Sequence, residues 1–358
     1  MSGEPTSSHG VMEGEGAYNR FAKLPAGGAA FALPLLEKAV ERVAIEPGEL
    51  PVVIADYGSS QGKNSMVPMQ VAIRAFRTRL GPKRPIFVFH EDQPRNDFNS
   101  LFEVLATDPD SYALREPNVF PCVIGKSFYE SVLPPDYVHL GWSSYAAVWL
   151  TCVPALIPGH FFAPRSAGAA RAEFERQAAR DWEAFLTLRA RELRPGGRLV
   201  VVLPGVNDDG LSGFEGLMDH ANEVLAEMVD RGEITAEERS RMVLASYPRR
   251  KGELLAPFSK DGQFRKLAVE ACDMFVLPDA AWVDYQRDGD KEALATKHAL
   301  FFRSIFVPSL ASALARDPEV LRAFADRLQE RLIRRLASRP AAIQSFVQAI
   351  VVVKQSDT

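Results

Sequence analysis

The stretch Leu50–Met66, LPVVIADYGSSQGKNSM, decides how the rest of the chain is read. Its apolar half, rich in Val and Ile, predicts a buried strand ending at Asp56, and the small residues after it predict a tight turn into a helix. The pattern Asp-x-Gly-x-Ser-x-Gly puts residues without bulk where a backbone must come close to a ligand, just before a helix N-terminus. A merely tight connection is the alternative reading of such a turn. A phosphate-binding P-loop is disfavoured, because no Gly-Lys-Ser/Thr stands at the required spacing.

Outward from this turn, PIFVFHED, VFPCVIG, YVHLGWSS and GRLVVVLPG repeat the strand signal before residue 205, with helical patterns over residues 66–80 and 171–193 between some of them. This is the rhythm of βα units, and it predicts an α/β fold with a parallel, Rossmann-like sheet. Pro195 and two glycines in LRPGG are expected to stop the second helix and turn the chain into the fifth strand. Near the N-terminus, LPAGGAAFALP reads as too interrupted by Pro and Gly to form a strong element. After residue 205 the polar VNDDGLSGFEG leads to amphipathic helices over residues 217–231 and 235–244, which predict a helical cap. A strand over residues 273–277, helices over 291–314 and 318–337, and the apolar VQAIVVVKQ complete the chain. The expected division is an N-terminal segment and cofactor-binding core over 1–205, a mainly helical cap with the substrate pocket over 206–300, and C-terminal helices and a strand over 301–358.

With 47% hydrophobic residues, 25% charged residues and a formal net charge of -4, composition gives no basic surplus for nucleic acid or anionic lipid. A small molecule is the expected partner. Cys122, Cys152 and Cys272 form neither a CxxC pair nor an even framework, and read as buried reduced thiols. No apolar segment reaches the roughly 18 to 20 residues of a membrane span, and no signal pattern opens the chain, so a cytoplasmic location is expected. No metal-ligand spacing of His, Cys or carboxylates is visible, and no metal is expected.

The second strand ends in FHEDQPRNDFN, placing Glu91 and Asp92 at a neighbouring strand end, where a carboxylate accepts ribose hydroxyls. The separation from Asp56, about 35 residues, exceeds the roughly 20 of the dinucleotide fingerprint and argues against NAD. S-adenosylmethionine fits better, since its ribose and amino-acid ends suit an acid at each of two strand ends, and its sulfonium gains from a site poor in cations.

The succession IADYGSSQGKNS, FHEDQPRNDFNSLF, GKSFYESVLPP, HLGWSSYAAVWLTCVP and ELRPGGRLVVVLPG resembles the SABATH methyltransferases, the mainly plant family acting on salicylate, benzoate, jasmonate and theobromine-type substrates. The match spans nearly the whole chain, including ANEVLAEMVDRGEITAEE as a cap helix and FADRLQERLIRRL near the end. The resemblance implies a class I methyltransferase sheet under a helical cap, S-adenosylmethionine as methyl donor and a homodimer. It further implies that Asp56, Gly58 and Asn64 sit at the methionine end of the cofactor, with Tyr18 nearby, Asp92 on the ribose and Gln93 beside the adenine, and that Ser127 and Phe128 close over the adenine. Tyr145 and Trp149 match positions near the transferred methyl and the substrate, where an indole N–H can donate to an acceptor oxygen. Core packing for Phe128, a helix N-cap for Ser127 and a merely buried Trp149 are the alternative readings.

Where the family opens with a Ser-Tyr-Ala-x-Asn-Ser-x-x-Gln pattern, this chain has AYNRFAKLP: Tyr18 matches, but Ala22 replaces the Ser and Pro25 the Gln. Half of the expected carboxylate clamp is therefore gone. By ungapped alignment, Phe21, Tyr247, His298 and Phe302 fall on the acceptor pocket, His298 as a donor to a carboxylate or a base for a phenol or ring nitrogen. A structural histidine is the alternative. Methyl transfer to a carboxylate needs orientation and desolvation and no base, so Trp149 and His298 are the expected catalytic residues, His298 only for the less acidic acceptors. Small-molecule carboxyl methylation is the first expectation, and N- or phenol O-methylation of an aromatic or heterocyclic metabolite the alternative.

Overall fold

In the computed structural model, which describes residues 10, 12–48 and 50–356, the run quoted above becomes strand β1 (Val52–Tyr57). Val52 and Ile54 pack into one core while Val53, Ala55 and Tyr57 pack into another. Both faces of the strand are covered, which is why its sequence is continuously apolar. The remaining strands are β2 (Ile86–Asp92), β3 (Val119–Gly125), β4 (Val138–Ser144), β5 (Leu193–Pro204), β6 (Gln263–Phe264), β7 (Leu267–Leu277) and β8 (Ser345–Lys354), in the order β3-β2-β1-β4-β5-β8-β7-β6. The first five strands pair in parallel, whereas β8 runs antiparallel between β5 and β7. The strand order reverses between β1 and β4, and in such sheets the carboxyl ends at the reversal form a binding crevice.

Helices α1 (Ala17–Phe21), α2 (Lys23–Arg42), α3 (Lys63–Leu80), α4 (Phe98–Thr107), α5 (Tyr112–Arg115) and α6 (Gly168–Glu192) come before β5. After it come α7 (Glu215–Asp230), α8 (Ala236–Arg241), α9 (Lys251–Leu255), α10 (Ala280–Asp288), α11 (Lys291–Ala311) and α12 (Pro318–Ser338). One sheet face is covered by α2 and α3 through Leu36, Val40, Met69, Ile73 and Phe76, and the other by α6 through Trp182, Phe185 and Leu186. Met218, Val224 and Leu225 of α7, Phe302 and Leu310 of α11, and Phe324 and Leu328 of α12 form a separate helical core over the carboxyl ends of the strands. The range 206–300 thus supplies α7 and α8 to the helical layer and β6 and β7 to the sheet.

Three local expectations are corrected. LPAGGAAFALP lies inside the 20-residue helix α2. Pro25 is tolerated because it stands in the first turn, where an N–H has no partner in the helix. Gly28 is required, because a Cβ there would fall 2.1 Å from the Tyr145 hydroxyl oxygen. LRPGG, expected to separate α6 from the fifth strand, is itself the start of β5. Gly196, at φ +74°, accommodates the irregularity where β5 pairs with β4, and a Cβ there would meet that of Ala44. The three cysteines are unpaired, as expected, but half-buried, since Cys122 lies on the edge strand β3 and Cys272 on β7.

Candidate active site

Every special feature of the β1–α3 turn follows from its packing. Gly58, Ser60 and Gly62 all adopt left-handed backbone conformations, at φ +83°, +50° and +87°. A Cβ on Gly58 would fall 2.2 Å from that of Ala146, and one on Gly62 would fall 2.3 Å from Leu101 Cδ1. The turn is fastened to the end of β2: the Gly58 and Ser59 N–H groups each donate to the Glu91 carbonyl at 2.9 Å. Asp92 accepts from Ser60 N and Gln93 N, both at 2.7 Å. Burial pushes the Asp92 carboxyl up to about 6, against those two hydrogen bonds. The buried hydroxyls of Ser59 and Ser60 have no hydrogen-bond partner among the described residues.

Asp56 is held from behind by a buried chain that the sequence reading missed. Its Oδ2 lies 2.8 Å from His90 Nδ1, and His90 Nε2 lies 2.8 Å from the Tyr112 hydroxyl. All three are satisfied when Tyr112 donates to Nε2 and Nδ1–H donates to Asp56. The N-terminal segment is tied over the turn by Gln61 Nε2 to the Glu13 carbonyl (2.7 Å), Asn19 Nδ2 to the Gln61 carbonyl (2.9 Å) and Asn64 Nδ2 to the Ala22 carbonyl (3.2 Å). These bonds bring Tyr18 of α1 to the crevice.

The crevice is lined by Met12, Tyr18, Gly58, Ser60, Asp92, Gln93, Arg95, Asn96, Phe128, Tyr145 and Trp149. Beside it a second cavity shares Met12, Tyr18, Tyr145 and Trp149, and adds Pro25, Val148, Phe162, Phe214, Met218, Ser246, Phe301, Ile305 and Phe306. Tyr145 stands between the two with a left-handed backbone, φ +60°, which is strained for an aromatic residue. Its buried hydroxyl lies beside the Ser345 hydroxyl. Burial pushes the Tyr18 phenol up to about 12 and the Tyr145 phenol further still.

A family model described as SAM dependent carboxyl methyltransferase matches residues 7–356. The chain belongs to that family. Methyltransferase FUS9 of Gibberella fujikuroi is 30% identical over 242 residues, which are 66% of this chain and 64% of the relative. The match thus spans a little under two thirds of that fungal protein. Salicylate carboxymethyltransferase of Clarkia breweri is 28% identical over 252 residues, 67% of each chain. In structure, the chain resembles a loganic acid methyltransferase with SAH, at a TM-score of 0.79 and 22% identity, covering 97% of this chain and 99% of the other. That likeness shows the class I methyltransferase fold.

Of the positions assigned through family resemblance, Tyr18, Gly58, Asp92, Gln93, Phe128, Tyr145 and Trp149 line the crevice together. Asp56 and Asn64 stand just behind the turn, and Ser127 accepts from Tyr129 N at 3.2 Å, as an N-cap would. Four acceptor-pocket positions lie elsewhere. Tyr247 is buried with its hydroxyl donating to Glu253 at 2.8 Å and the Arg171 guanidinium 5.3 Å over its ring. The neighbouring Ser246 lines the cavity instead, because successive residues of an extended segment face opposite ways. Phe302 is fully buried in the helical core, edge-on to Phe161 and tilted against Phe306. His298 and Phe21 line a different cavity, where His298 Nε2 meets Asp279 Oδ2 at 2.8 Å. That same oxygen accepts from Ile343 N at 2.9 Å, so the histidine is part of a structural clasp.

The reading missed Met12, Phe214, Met218, Ile305 and Phe306 in the acceptor-side cavity and Arg95 and Asn96 in the crevice. The aromatic and Met positions carried no signal that separates a pocket wall from a core.

The crevice fits the family's methyl donor. It offers at Ser60 a buried hydroxyl with no partner among the described residues, a ribose-type acceptor at Asp92, and the aromatic residues Tyr18, Phe128, Tyr145 and Trp149, which favour a sulfonium.

Proposed function

We propose that the protein methylates the carboxylate of a small, largely apolar acid, giving a methyl ester and S-adenosylhomocysteine. The observation that carries this reading is the lining of the acceptor-side cavity: among the described residues it contains no histidine, lysine or carboxylate. Its phenols, at Tyr18 and Tyr145, are pushed upward by burial and so are poor bases near neutral pH. A carboxylate is already ionised at neutral pH and needs no base, whereas a phenol or ring N–H does.

The bound donor supplies an electrophilic methyl on a sulfonium. Asp92, Gln93 and the β1–α3 turn hold its nucleoside side, Phe128 covers the adenine, and Asp56, Gly58, Asn64 and Tyr18 flank its amino-acid end. Trp149 orients the acceptor oxygen, with Tyr145 and Ser246 as further neutral donors in place of the clamp that Pro25 removes. Phe162, Phe214, Met218 and Ile305 exclude water from the reacting atoms, which strengthens these few polar contacts. The reading also includes a homodimer, supported by the family resemblance and checked by light scattering.

A mass-shift screen tests the chemistry: purified protein and S-adenosylmethionine are offered pooled aromatic, isoprenoid and fatty acids beside matched phenols and xanthine-like heterocycles. Gain of one methyl by an acid is the expected result. Methylation of phenols or heterocycles with none of any acid would sink the carboxyl reading.

A further inference from the structure

The cavity that holds His298 is larger than either half of the active site. It lies between α1 and α2, the β7–α10 turn and α11, and Phe301 walls both it and the acceptor-side cavity. Its body is apolar, made by Phe21, Leu24, Leu277, Leu300, Phe301 and Ile343.

The charges around that body are unbalanced. Asp279 is fully engaged: Oδ1 accepts from Ala281 N and Trp282 N, and Oδ2 accepts from His298 and Ile343 N. Asp284 is held by Lys297 at 2.8 Å. Among the described residues the Arg20 guanidinium donates to the Glu15 carbonyl and lies 5.6 Å from the Phe21 ring centroid, and neither it nor the exposed Lys23 has a carboxylate partner. Two cations without a carboxylate partner therefore stand beside an apolar pocket, the complement of an amphiphile with one negative end.

We propose that this cavity is a second binding site, for an apolar monocarboxylate, distinct from the acceptor site. Its ligand has the chemistry of the acid assigned under the proposed function, and to that extent the site rests on that reading. The carboxylate sits at Arg20 and Lys23, and the hydrocarbon lies against Leu24, Leu300 and Phe301. Filling the cavity fixes Phe301, so occupancy here tunes acceptor binding next door, and by linkage the acceptor tunes occupancy here.

Calorimetric titration of decanoate into the protein with S-adenosylhomocysteine present tests the site directly. The expected result is a decanoate equivalent that Lys23→Glu weakens at least tenfold and Leu300→Trp, which fills the cavity, removes. Decanol, with the same hydrocarbon and no charge, binds that site at least tenfold more weakly than decanoate. Lys23 is exposed, so its variant keeps the test sound should Leu300→Trp disturb folding. Absence of decanoate binding, or binding unchanged by both substitutions, would overturn the second site. The separate methylation screen keeps the two readings apart: acids methylated with no such equivalent removes only this site, and the equivalent present with no acid methylated removes only the proposed reaction.

Discussion

Asp92 is the residue whose behaviour the environment changes most usefully. Its carboxyl is pushed up to about 6 from an ordinary 3.8, mainly by burial. An ionised carboxylate is the better acceptor for ribose hydroxyls, so affinity for S-adenosylhomocysteine should be full above that value and fall as pH drops through it. The expected loss is about tenfold at pH 5 relative to pH 7.5, measured by calorimetry. Asp92→Ala should weaken binding by about 1.5–3 kcal/mol, roughly ten- to a hundredfold, and flatten this pH dependence. Trp149→Phe keeps the apolar wall and removes one N–H, so it should leave cofactor affinity intact and lower kcat by about tenfold or more for a carboxylate acceptor. His298→Ala should act on stability. It takes away a hydrogen bond to Asp279, whose carboxyl is pushed up by burial yet held below its usual range by His298 and the Ile343 N–H. A loss of about 1–3 kcal/mol in denaturant unfolding is expected, with no new pH dependence in kcat, because no base has been removed. A shifted pH profile would return His298 to the chemistry.

At the scale of elements, the turn at Asp56 and the strand ends at Asp92 and Tyr145 were legible because strand–turn–helix punctuation is local and strong. What was not legible was phase. On α11 the residues facing the acceptor cavity are Phe301, Ile305 and Phe306, whereas His298 and Phe302 were expected there. The observed and expected sets are offset by whole residues on a helix that turns about 100° per residue, so a small alignment shift rotates the wrong side chains inward. In the extended stretch at Ser246 and Tyr247 the same kind of slip reverses the face altogether. Helix α2 failed differently, since its glycines argue against a helix locally and are explained only by a contact more than a hundred residues away. That contact yields a prediction. Alanine in place of a helical glycine ordinarily stabilises by about 0.5–1 kcal/mol. At Gly28 the added methyl would meet Tyr145, so Gly28→Ala should instead lower the unfolding midpoint and cut turnover by about tenfold, while Gly216→Ala, in open space on α7, should lower neither.

Across the whole molecule, the alternation of strands and helices disclosed the fold class, but the order of strands depends on pairings that no local pattern encodes. β8 shows this most clearly. Its apolar sequence announced a buried strand without indicating that it enters antiparallel between β5 and β7, paired from Arg198–Val353 to Pro204–Val347 on one side and from Leu267–Lys354 to Leu277–Ser345 on the other. The consequence concerns the order in which the molecule is made. A ribosome delivers β5 and β7 before the strand that must lie between them, so the sheet stays divided, with two raw edges, until residues 345–354 have left the exit tunnel. The central layer therefore closes only once β8 has emerged, and the facing edges of β5 and β7 are unpaired until then. A chain stopped after Gln344 should remain in that divided state: protease-sensitive throughout residues 263–277, prone to aggregate, and unable to bind S-adenosylhomocysteine with the affinity of the full chain, although every residue of the crevice is present. Limited proteolysis of the two chains side by side would show it, and equal resistance would mean that the sheet can close without β8.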